Sequence, residues 1–273
     1  MISRPPRFSI KADTLMRTLT KLPFQLILGA LVGAIALACS ATAQEPAENP
    51  VPTSSVYLIG NSLTWDTVPP RLSGHVDWHV DCGKNLSFIY QHPEKPCVKS
   101  SKLWPTALKE KQYDIVCVQA HYGTTVAEDA EVIAKWLKMQ PSATFVIHTG
   151  WARSATLREE FASSDASGKL QHSNAYFDAL TSMLRQQHPE TQFRLTAATR
   201  LLNEIARDVD HGRGPLTSIQ QLYRDAIHMT TTSGRYLMHN VMRKALGQPI
   251  SRSGFEQVPE DVRDYIDTKL EQL

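Results

Sequence analysis

The chain has 273 residues, of which 42% are hydrophobic and 21% are charged. This composition is typical of a globular protein that can bury a sizeable core, and it excludes a disordered, a collagen-like or a disulfide-dense chain. The formal charge of +2 comes from the first 43 residues, which contain five basic residues and one acidic residue. The remaining residues contain 24 basic and 26 acidic side chains. A near-neutral body without a basic run gives no support to a nucleic-acid partner.

Residues 1–43 resemble a secretory signal peptide. A basic segment precedes an apolar run of 15 residues at 24–38, whereas a membrane span needs roughly 20 residues. The Ala41-Thr42-Ala43 pattern that follows predicts cleavage near Ala43 and an exported chain, periplasmic or secreted, whose mature form has no membrane span. An uncleaved signal anchor and lipidation at Cys39 are the alternatives, and both also place the body outside the cytoplasm.

The cysteines fit an exported protein, in which disulfides persist. Cys82 and Cys97 flank a polar loop and could close it, whereas Cys117 lies in an apolar run and is predicted to be a buried thiol. The three cysteines of the predicted mature chain allow three different pairs, so the pairing stays open.

The mature chain is predicted to form one domain over 55–273, preceded by a flexible Pro-rich leader at 44–54. Short apolar segments predict five β-strands, at Val56–Ile59, Val76–Val80, Ile115–Val118, Thr144–Ile147 and Phe193–Ala197. Apolar residues at helical spacing predict helices over 126–139, 176–184 and 236–246. This alternation predicts an α/β fold with a parallel sheet that helices cover on both faces.

Three further segments carry weaker patterns. Residues 152–172 are polar and Ser-rich and predict a long loop or a lid insertion, and the charged segment 259–273 predicts a final helix. Asp208, Asp210 and His211 form an acid–histidine group in a Gly-rich stretch, which we interpret as a solvated loop. His75 and His79 lack the glutamate of a zinc-protease helix, and we predict no metal site.

Ser62 follows the first predicted strand directly, in the segment GNSLT. The carboxyl ends of parallel strands line the ligand crevice, and a helix that begins there favours developing negative charge. Asp225 and His228 precede the last core helix, at the same predicted edge of the sheet. A serine nucleophile needs a base, and the base needs a partner that fixes its tautomer. The three residues therefore predict a catalytic triad, with an ordinary N-cap serine as the alternative.

The segments GNSLT and DAIH resemble the first and last sequence blocks of the SGNH (GDSL-like) hydrolases, over residues 55–247. The resemblance implies a flavodoxin-like three-layer α/β/α fold with a five-stranded parallel sheet. It also implies that Ser62 is the nucleophile and an oxyanion donor, that His228 is the general base and that Asp225 orients it. It implies neither a metal ion nor an organic cofactor.

The middle blocks depart from the family pattern. The family takes one oxyanion-hole N–H from a glycine after the second strand, for which Gly83 is the best candidate and Gly74 the second. Its third block usually supplies an Asn side chain, but here the third strand is followed by Gln119-Ala120-His121. An amide or an imidazole can donate to an oxyanion, so Gln119 and His121 are both candidates. We favour Gln119 because it ends the apolar run directly.

Three more residues at the predicted crevice edge are candidates for substrate binding, namely Trp65, His148 and Trp151. Aromatic faces pack well against sugar rings, although core packing is the alternative for each residue. Since no large apolar stripe suggests a lipid-binding lid, a short acyl ester on a carbohydrate, such as an O-acetyl group, is favoured over a lipid ester. The expected partner is thus a small-molecule or glycan ester.

Together these patterns predict an exported serine esterase that hydrolyses a carboxylic ester through an acyl-enzyme. A non-catalytic glycan- or ligand-binding module on the same fold is one alternative. An SGNH-type O-acyltransferase with the same triad is another. The acyl group, the alcohol part of the substrate and the oligomeric state stay open at this point.

Overall fold

The computed structural model of the protein describes residues 54–273. The signal peptide predicted at 1–43 lies outside the described residues, as does the leader at 44–54 apart from its last residue. Within the described part, no helix combines the length and the apolar character needed to cross a membrane.

The centre of the domain is one parallel sheet of five strands in the order β2-β1-β3-β4-β5. All five predicted strands are confirmed, with bounds β1 Ser55–Gly60, β2 His75–Val80, β3 Ile115–Gln119, β4 Thr144–His148 and β5 Phe193–Leu195. The last strand is shorter than predicted because Ala197 already caps the following helix. This strand order is flavodoxin-like, and it places the ligand crevice beyond the carboxyl ends of β1 and β3.

Nine α-helices accompany the strands in residues 54–273. They are α1 Ser62–Asp66, α2 Leu86–Gln91, α3 Trp104–Glu110, α4 Val126–Met139, α5 Leu157–Ala162, α6 Asn174–Gln187, α7 Ala198–Asp210, α8 Ser233–Ala245 and α9 Glu260–Glu271. The predicted helices at α4, α6, α8 and α9 are therefore confirmed.

The two faces of the sheet pack against different helices. Tyr57 and Ile59 of β1 contribute to a buried cluster with the apolar residues of α2, α3, α4 and α6. Val56 and Leu58 point to the other face, where Met242 of α8 packs against them. The sheet is covered on both sides, which explains why its strands are continuous apolar runs in the sequence. The result is the three-layer α/β/α architecture expected from the sequence.

Cys82 and Cys97 form a disulfide that closes the loop after β2, which is the pairing that the sequence suggested without establishing. Cys117 is a free thiol in the centre of the sheet and is only 1% exposed. Burial in this apolar environment raises the pKa of the Cys117 thiol well above its usual range. The prediction of a buried thiol is confirmed.

The polar segment 152–172 is not a free loop, because it contains helix α5 and is held to the domain through Glu160. The nearly buried Glu160 carboxylate accepts hydrogen bonds from Tyr122 Oη at 2.8 Å and from the backbone N–H of His172 at 3.0 Å. Burial works to raise the pKa of Glu160, but hydrogen bonds, first of all from His172, outweigh it and lower the pKa to about 2. The segment is therefore a docked part of the domain at neutral pH.

The solvated loop predicted around Asp208 is wrong, because residues 198–210 form α7. The buried Asp208 carboxylate accepts from Tyr265 at 2.8 Å and pairs with Lys269 at 2.6 Å, which joins α7 to α9. This acid–histidine group thus has a structural role away from the sheet edge that carries Ser62.

Candidate active site

Three predicted residues, far apart in sequence, form one chain of hydrogen bonds. Ser62 Oγ lies 2.9 Å from Nε2 of His228, and Nδ1 of the same ring lies 2.8 Å from an Asp225 oxygen. A carboxylate only accepts, so Nδ1 carries the proton and Nε2 accepts the proton of the Ser62 hydroxyl. This is the geometry of a nucleophile, its base and an orienting acid.

Asp225 also shapes the turn on which His228 lies. Its Oδ1 accepts the backbone N–H groups of Ile227 at 2.9 Å and of His228 at 2.8 Å. Partial burial works to raise the pKa of Asp225, but these two backbone hydrogen bonds and the His228 ring outweigh it and lower the pKa to about 2. The carboxylate is therefore charged from mildly acidic pH upward and holds the imidazole in one tautomer.

The turn is the tip of a short hairpin. Tyr223 and Met229 form an antiparallel bridge, and the Arg224 N–H donates to the carbonyl of His228 at 2.9 Å. The hairpin belongs to the loop between α7 and α8, which reaches the crevice from the far end of the chain.

Ser62 lies at the start of α1, where Asn61 is the N-cap. Asn61 Oδ1 accepts from Leu63 N at 2.9 Å, and the Asn61 carbonyl accepts from Trp65 N at 3.1 Å. The Ser62 N–H has no acceptor among residues 54–273, so it is free to bind an oxyanion. Only glycine fits at position 60, since a Cβ there would come within 2.1 Å of Thr64 Oγ1.

The side chain of Gln119 binds the backbone of the turn at residues 60–64, which carries Ser62, and does not face the crevice. Its side chain is fully buried, and Oε1 accepts from the backbone N–H groups of Asn61 at 3.1 Å and Thr64 at 3.0 Å. Its amide N–H₂ donates to the Ala120 carbonyl. The structure therefore corrects the favoured prediction of Gln119 as an oxyanion donor, because its amide serves the turn that carries Ser62.

We expect Gln119→Ala to lower the free energy of unfolding by about 3 kcal/mol, because it leaves buried N–H groups of the turn without an acceptor. Urea unfolding followed by circular dichroism measures this effect. Gln112→Ala is the matched control, since Gln112 is exposed and its side chain makes one hydrogen bond, to the Met139 carbonyl. Equal stabilities of the two variants would contradict the role assigned to Gln119.

His121 remains as the third candidate donor to an oxyanion. Its Nδ1 is buried without a partner among the described residues, whereas the residue as a whole is partly exposed. Burial, and to a lesser extent electrostatic interactions with His172, Arg153 and His228, lower the pKa of His121 to about 4. At neutral pH it is thus an uncharged imidazole with one N–H to donate.

Gly83 is exposed in the disulfide-closed loop after β2, with a φ of +69° that favours glycine. The residue after Gly83 is Lys84, and its carbonyl accepts from Asn61 Nδ2 at 3.0 Å. This hydrogen bond links the loop to the turn that carries Ser62. No acceptor within residues 54–273 is paired with the Gly83 N–H. Its position beside Asn61 is compatible with the predicted oxyanion role. Gly74 lies before β2, at the opposite end of that strand, where a Cβ would come within 2.3 Å of the Ser54 carbonyl oxygen.

Of the three predicted substrate contacts, only Trp65 is accessible. It is partly exposed on α1, with its ring tilted against Trp78 at 5.9 Å between centroids. His148 and Trp151 are both fully buried, so their predicted role in substrate binding is wrong. His148 Nδ1 pairs with Thr196 Oγ1 at 2.9 Å.

Trp151 has a different role at the site. Its indole N–H donates to the carbonyl of Ile227 at 2.6 Å, beneath the turn that carries His228. The preceding residue, Gly150, has a φ of +58°, which favours glycine, and the Trp151 ring is fully buried instead of lining the crevice. The sequence contained no signal that distinguishes these two directions. Asn61, whose capping and bridging roles were also missed, could have been found from its place directly before Ser62.

The sheet order and the serine directly after β1 agree with the flavodoxin-like three-layer fold that the sequence resemblance to the SGNH (GDSL-like) hydrolases implies. No protein-family model and no curated protein sequence matches the chain.

Solved structures resemble it at low sequence identity. A Parabacteroides merdae protein assigned as a GDSL-like lipase shares 13% identity, at a TM-score of 0.44, over 71% of this chain and 96% of its own. A carbohydrate esterase family 3 protein of Talaromyces cellulolyticus shares 13% identity at a TM-score of 0.41, over 71% of this chain and 96% of its own. An extracellular lipase of Streptomyces rimosus shares 12% identity at a TM-score of 0.37, over 70% of this chain and 99% of its own. At these values the similarity concerns the fold, and the chemistry of this chain rests on its own residues.

Proposed function

We propose that the protein is an exported serine esterase that hydrolyses short-chain carboxylic esters through an acyl-enzyme. The observation that carries the proposal is the continuous chain from Ser62 Oγ through the His228 ring to Asp225, with contacts of 2.9 Å and 2.8 Å. A binding module would not need a hydroxyl, an imidazole and a carboxylate aligned in this order.

In the proposed reaction, His228 Nε2 takes the proton from Ser62 as its Oγ attacks the ester carbonyl carbon. The resulting oxyanion accepts hydrogen bonds from the N–H groups of Ser62 and Gly83 and from the His121 ring. Collapse of this intermediate breaks the bond to the alcohol, which leaves with the proton from His228. A water molecule, deprotonated by the same imidazole, then attacks the acyl-enzyme. Collapse of this second intermediate breaks the bond to Ser62 Oγ, which takes the proton back from His228 as the acid leaves.

The accessibility of the site supports hydrolysis over acyl transfer. The side chains of His228 and Asp225 are 28% and 49% exposed, so bulk water reaches the base directly. A transferase must keep its acyl-enzyme from water until the acceptor binds. The open base of this site favours water as the second substrate.

The surface supports a short acyl group. Among the described residues, the one exposed large hydrophobic side chain is Phe88, and the Lys84 ammonium lies over its ring at 4.2 Å. A long acyl chain needs a contiguous apolar surface. The partly exposed Trp65 beside Ser62 offers a single aromatic face of the kind that packs against a sugar ring. We therefore propose an O-acetylated carbohydrate as the substrate class.

The disulfide between Cys82 and Cys97 supports export, because such bonds persist in oxidising compartments. The predicted signal peptide is consistent with this proposal.

Hydrolysis of p-nitrophenyl acetate, butyrate and decanoate by the purified protein, followed by release of acetate from an acetylated xylan, tests the proposal. We expect kcat/KM to be highest for acetate and lowest for decanoate. A preference for decanoate would contradict the short-acyl assignment. A folded protein without activity on any of these esters would contradict the esterase assignment.

We expect His121→Ala to lower kcat by about 10²-fold, because one of three oxyanion donors is lost. His121→Asn keeps a side-chain N–H donor at this position and should keep most of the activity. Steady-state kinetics of both variants on p-nitrophenyl acetate makes the comparison. His92→Ala, on a residue at the exposed end of α2, is the matched control. An unchanged kcat in His121→Ala would remove this residue from the oxyanion hole.

A further inference from the structure

We propose that Asp66 is a positioning residue that fixes His228 relative to Ser62. The inference rests on the proposed esterase function, but neither the triad nor the oxyanion hole includes Asp66. Its carboxylate is fully buried and lies at the last position of α1, the helix that begins with Ser62.

The contacts of Asp66 converge on the hairpin that carries the base. One carboxylate oxygen accepts the backbone N–H of Met229, the residue after His228, at 2.9 Å. The other accepts from Arg224 Nη1 at 3.0 Å and from Arg235 Nε at 2.9 Å. A buried carboxylate is costly unless it is paired in this way, so its hydrogen bonds fix its position closely.

Ser62 and Asp66 are four residues apart on one helix, so their side chains lie on the same face. Ser62 contacts the ring of His228, and Asp66 contacts the peptide that follows it. The nucleophile and the support of the base therefore belong to one rigid unit. A displacement of the hairpin along α1 would have to break both contacts at once.

The peptide group between His228 and Met229 is held at both of its polar atoms. The His228 carbonyl accepts the N–H of Arg224, which also donates its guanidinium to Asp66 and to the Met229 carbonyl at 2.6 Å. Arg224 thus bridges the two strands of the hairpin and ties them to α1. Without the Asp66 carboxylate, the guanidinium groups of Arg224 and Arg235 lose their shared anion and repel each other behind the hairpin.

The test replaces Asp66 by asparagine, which keeps the shape of the side chain and removes its charge. We expect kcat for p-nitrophenyl acetate to fall about 10- to 100-fold with little change in KM, because displacement of a base by about an ångström costs that much in rate. Asp267→Asn is the matched control. Asp267 is also a nearly buried carboxylate, and it accepts from Arg252 Nε at 2.8 Å and from the Tyr236 hydroxyl, between α8 and α9. The control should lose stability and keep kcat.

Arg235→Lys provides a milder variant in case Asp66→Asn does not fold. Lysine keeps the positive charge but lacks the planar guanidinium, whose Nε and Nη2 groups both contact Asp66. We expect kcat to be about two- to tenfold lower, because a smaller displacement of the hairpin also moves His228 away from Ser62. Folding of each variant is checked by circular dichroism and thermal unfolding. A folded Asp66→Asn with wild-type kcat would overturn the proposal, and so would wild-type kcat in Arg235→Lys if Asp66→Asn does not fold.

A second readout separates this inference from the proposed function. The Nδ1 resonance of His228, detected by ¹⁵N NMR through the non-exchanging C–H protons of the ring and assigned by its loss in His228→Ala, reports the hydrogen bond to Asp225 in the substrate-free protein. We expect this resonance to be shifted or broadened by exchange in Asp66→Asn and unchanged in Asp267→Asn. If the wild-type protein hydrolyses no ester, the proposed function fails, and the resonance still decides whether Asp66 positions His228. An unchanged resonance in a folded Asp66→Asn would overturn the positioning role.

Discussion

Ser62→Ala is expected to lower kcat for ester hydrolysis by at least about 10³-fold, while the protein keeps its fold. The residual rate would come from the oxyanion hole and from substrate binding, which do not require the hydroxyl. Since Ser62 is partly exposed and its Oγ bonds only to His228, its removal leaves the packing of α1 intact. Initial rates on p-nitrophenyl acetate, with Tm from thermal unfolding, measure both parts of the prediction.

The control for this variant is Ser182→Ala, which removes the hydroxyl of an exposed serine on α6. It should have wild-type activity. A phosphonate that reacts with activated serines should add to the wild-type protein and to the control, but not to Ser62→Ala, as seen in the intact mass. Ester hydrolysis that survives in Ser62→Ala would show that the proposed nucleophile is wrong.

Asp225→Asn is expected to lower kcat by roughly 10²- to 10⁴-fold. The carboxylate only accepts hydrogen bonds and therefore keeps a proton on His228 Nδ1, whereas an amide can donate to Nδ1 and stabilise the opposite tautomer. In that tautomer Nε2 carries the proton and cannot take one from Ser62. Steady-state kinetics across the active pH range of the wild-type protein tests this expectation.

The stability of the folded protein depends on pH through Asp225, and the pKa of this carboxyl fixes the sign of that dependence. Hydrogen bonds lower the pKa of Asp225 to about 2 in the folded state, below its ordinary value of 3.8. The stabilisation from the charged carboxylate is therefore complete above the unfolded pKa and is lost as the pH falls from about 4 toward 2. We expect the free energy of unfolding of the wild-type protein to exceed that of Asp225→Asn by less and less as the pH falls through this window. Any decline in wild-type activity at higher pH values would not arise from protonation of Asp225.

Asn keeps the side-chain oxygen that accepts from the backbone N–H groups of Ile227 and His228, so the turn itself should persist in Asp225→Asn. A folded Asp225→Asn, with native circular dichroism and a cooperative unfolding transition at neutral pH, would attribute the loss of activity to the tautomer. If the variant had wild-type kcat, Asp225 would not be the orienting group.

The strands and the arrangement of Ser62, His228 and Asp225 could be predicted because their signals are local. Buried strands of a parallel sheet are continuous apolar runs, and Ser62 directly follows one of them. Asp225 and His228 are close enough in sequence to meet within one turn. The order of the sheet then brings both segments to one edge without further information.

The residues that were assigned wrongly share a different property, which is that their side-chain directions depend on distant contacts. Gln119 ends β3 and faces inward because the Asn61 and Thr64 N–H groups need an acceptor there. Trp151 turns under the hairpin because Ile227 offers a carbonyl. Neither partner can be identified from the segment in which the residue lies.

Helix α7 is a different case, since its signal was present in the sequence. Leu201, Leu202 and Ile205 follow helical spacing and are all buried. The following glycines, Gly212 and Gly214, led to the interpretation of the whole stretch as a loop. They in fact lie just beyond the end of the helix.

The burial of Cys117 has a consequence for the fidelity of oxidative folding. Among the three cysteines of residues 54–273, two of the three possible pairs include Cys117, and both are non-native. Thiol–disulfide exchange proceeds through the thiolate, which an inaccessible thiol with a raised pKa does not supply. If β3 joins the sheet before oxidation, only Cys82 and Cys97 can react. The order of folding, rather than an isomerase, then selects the native bond.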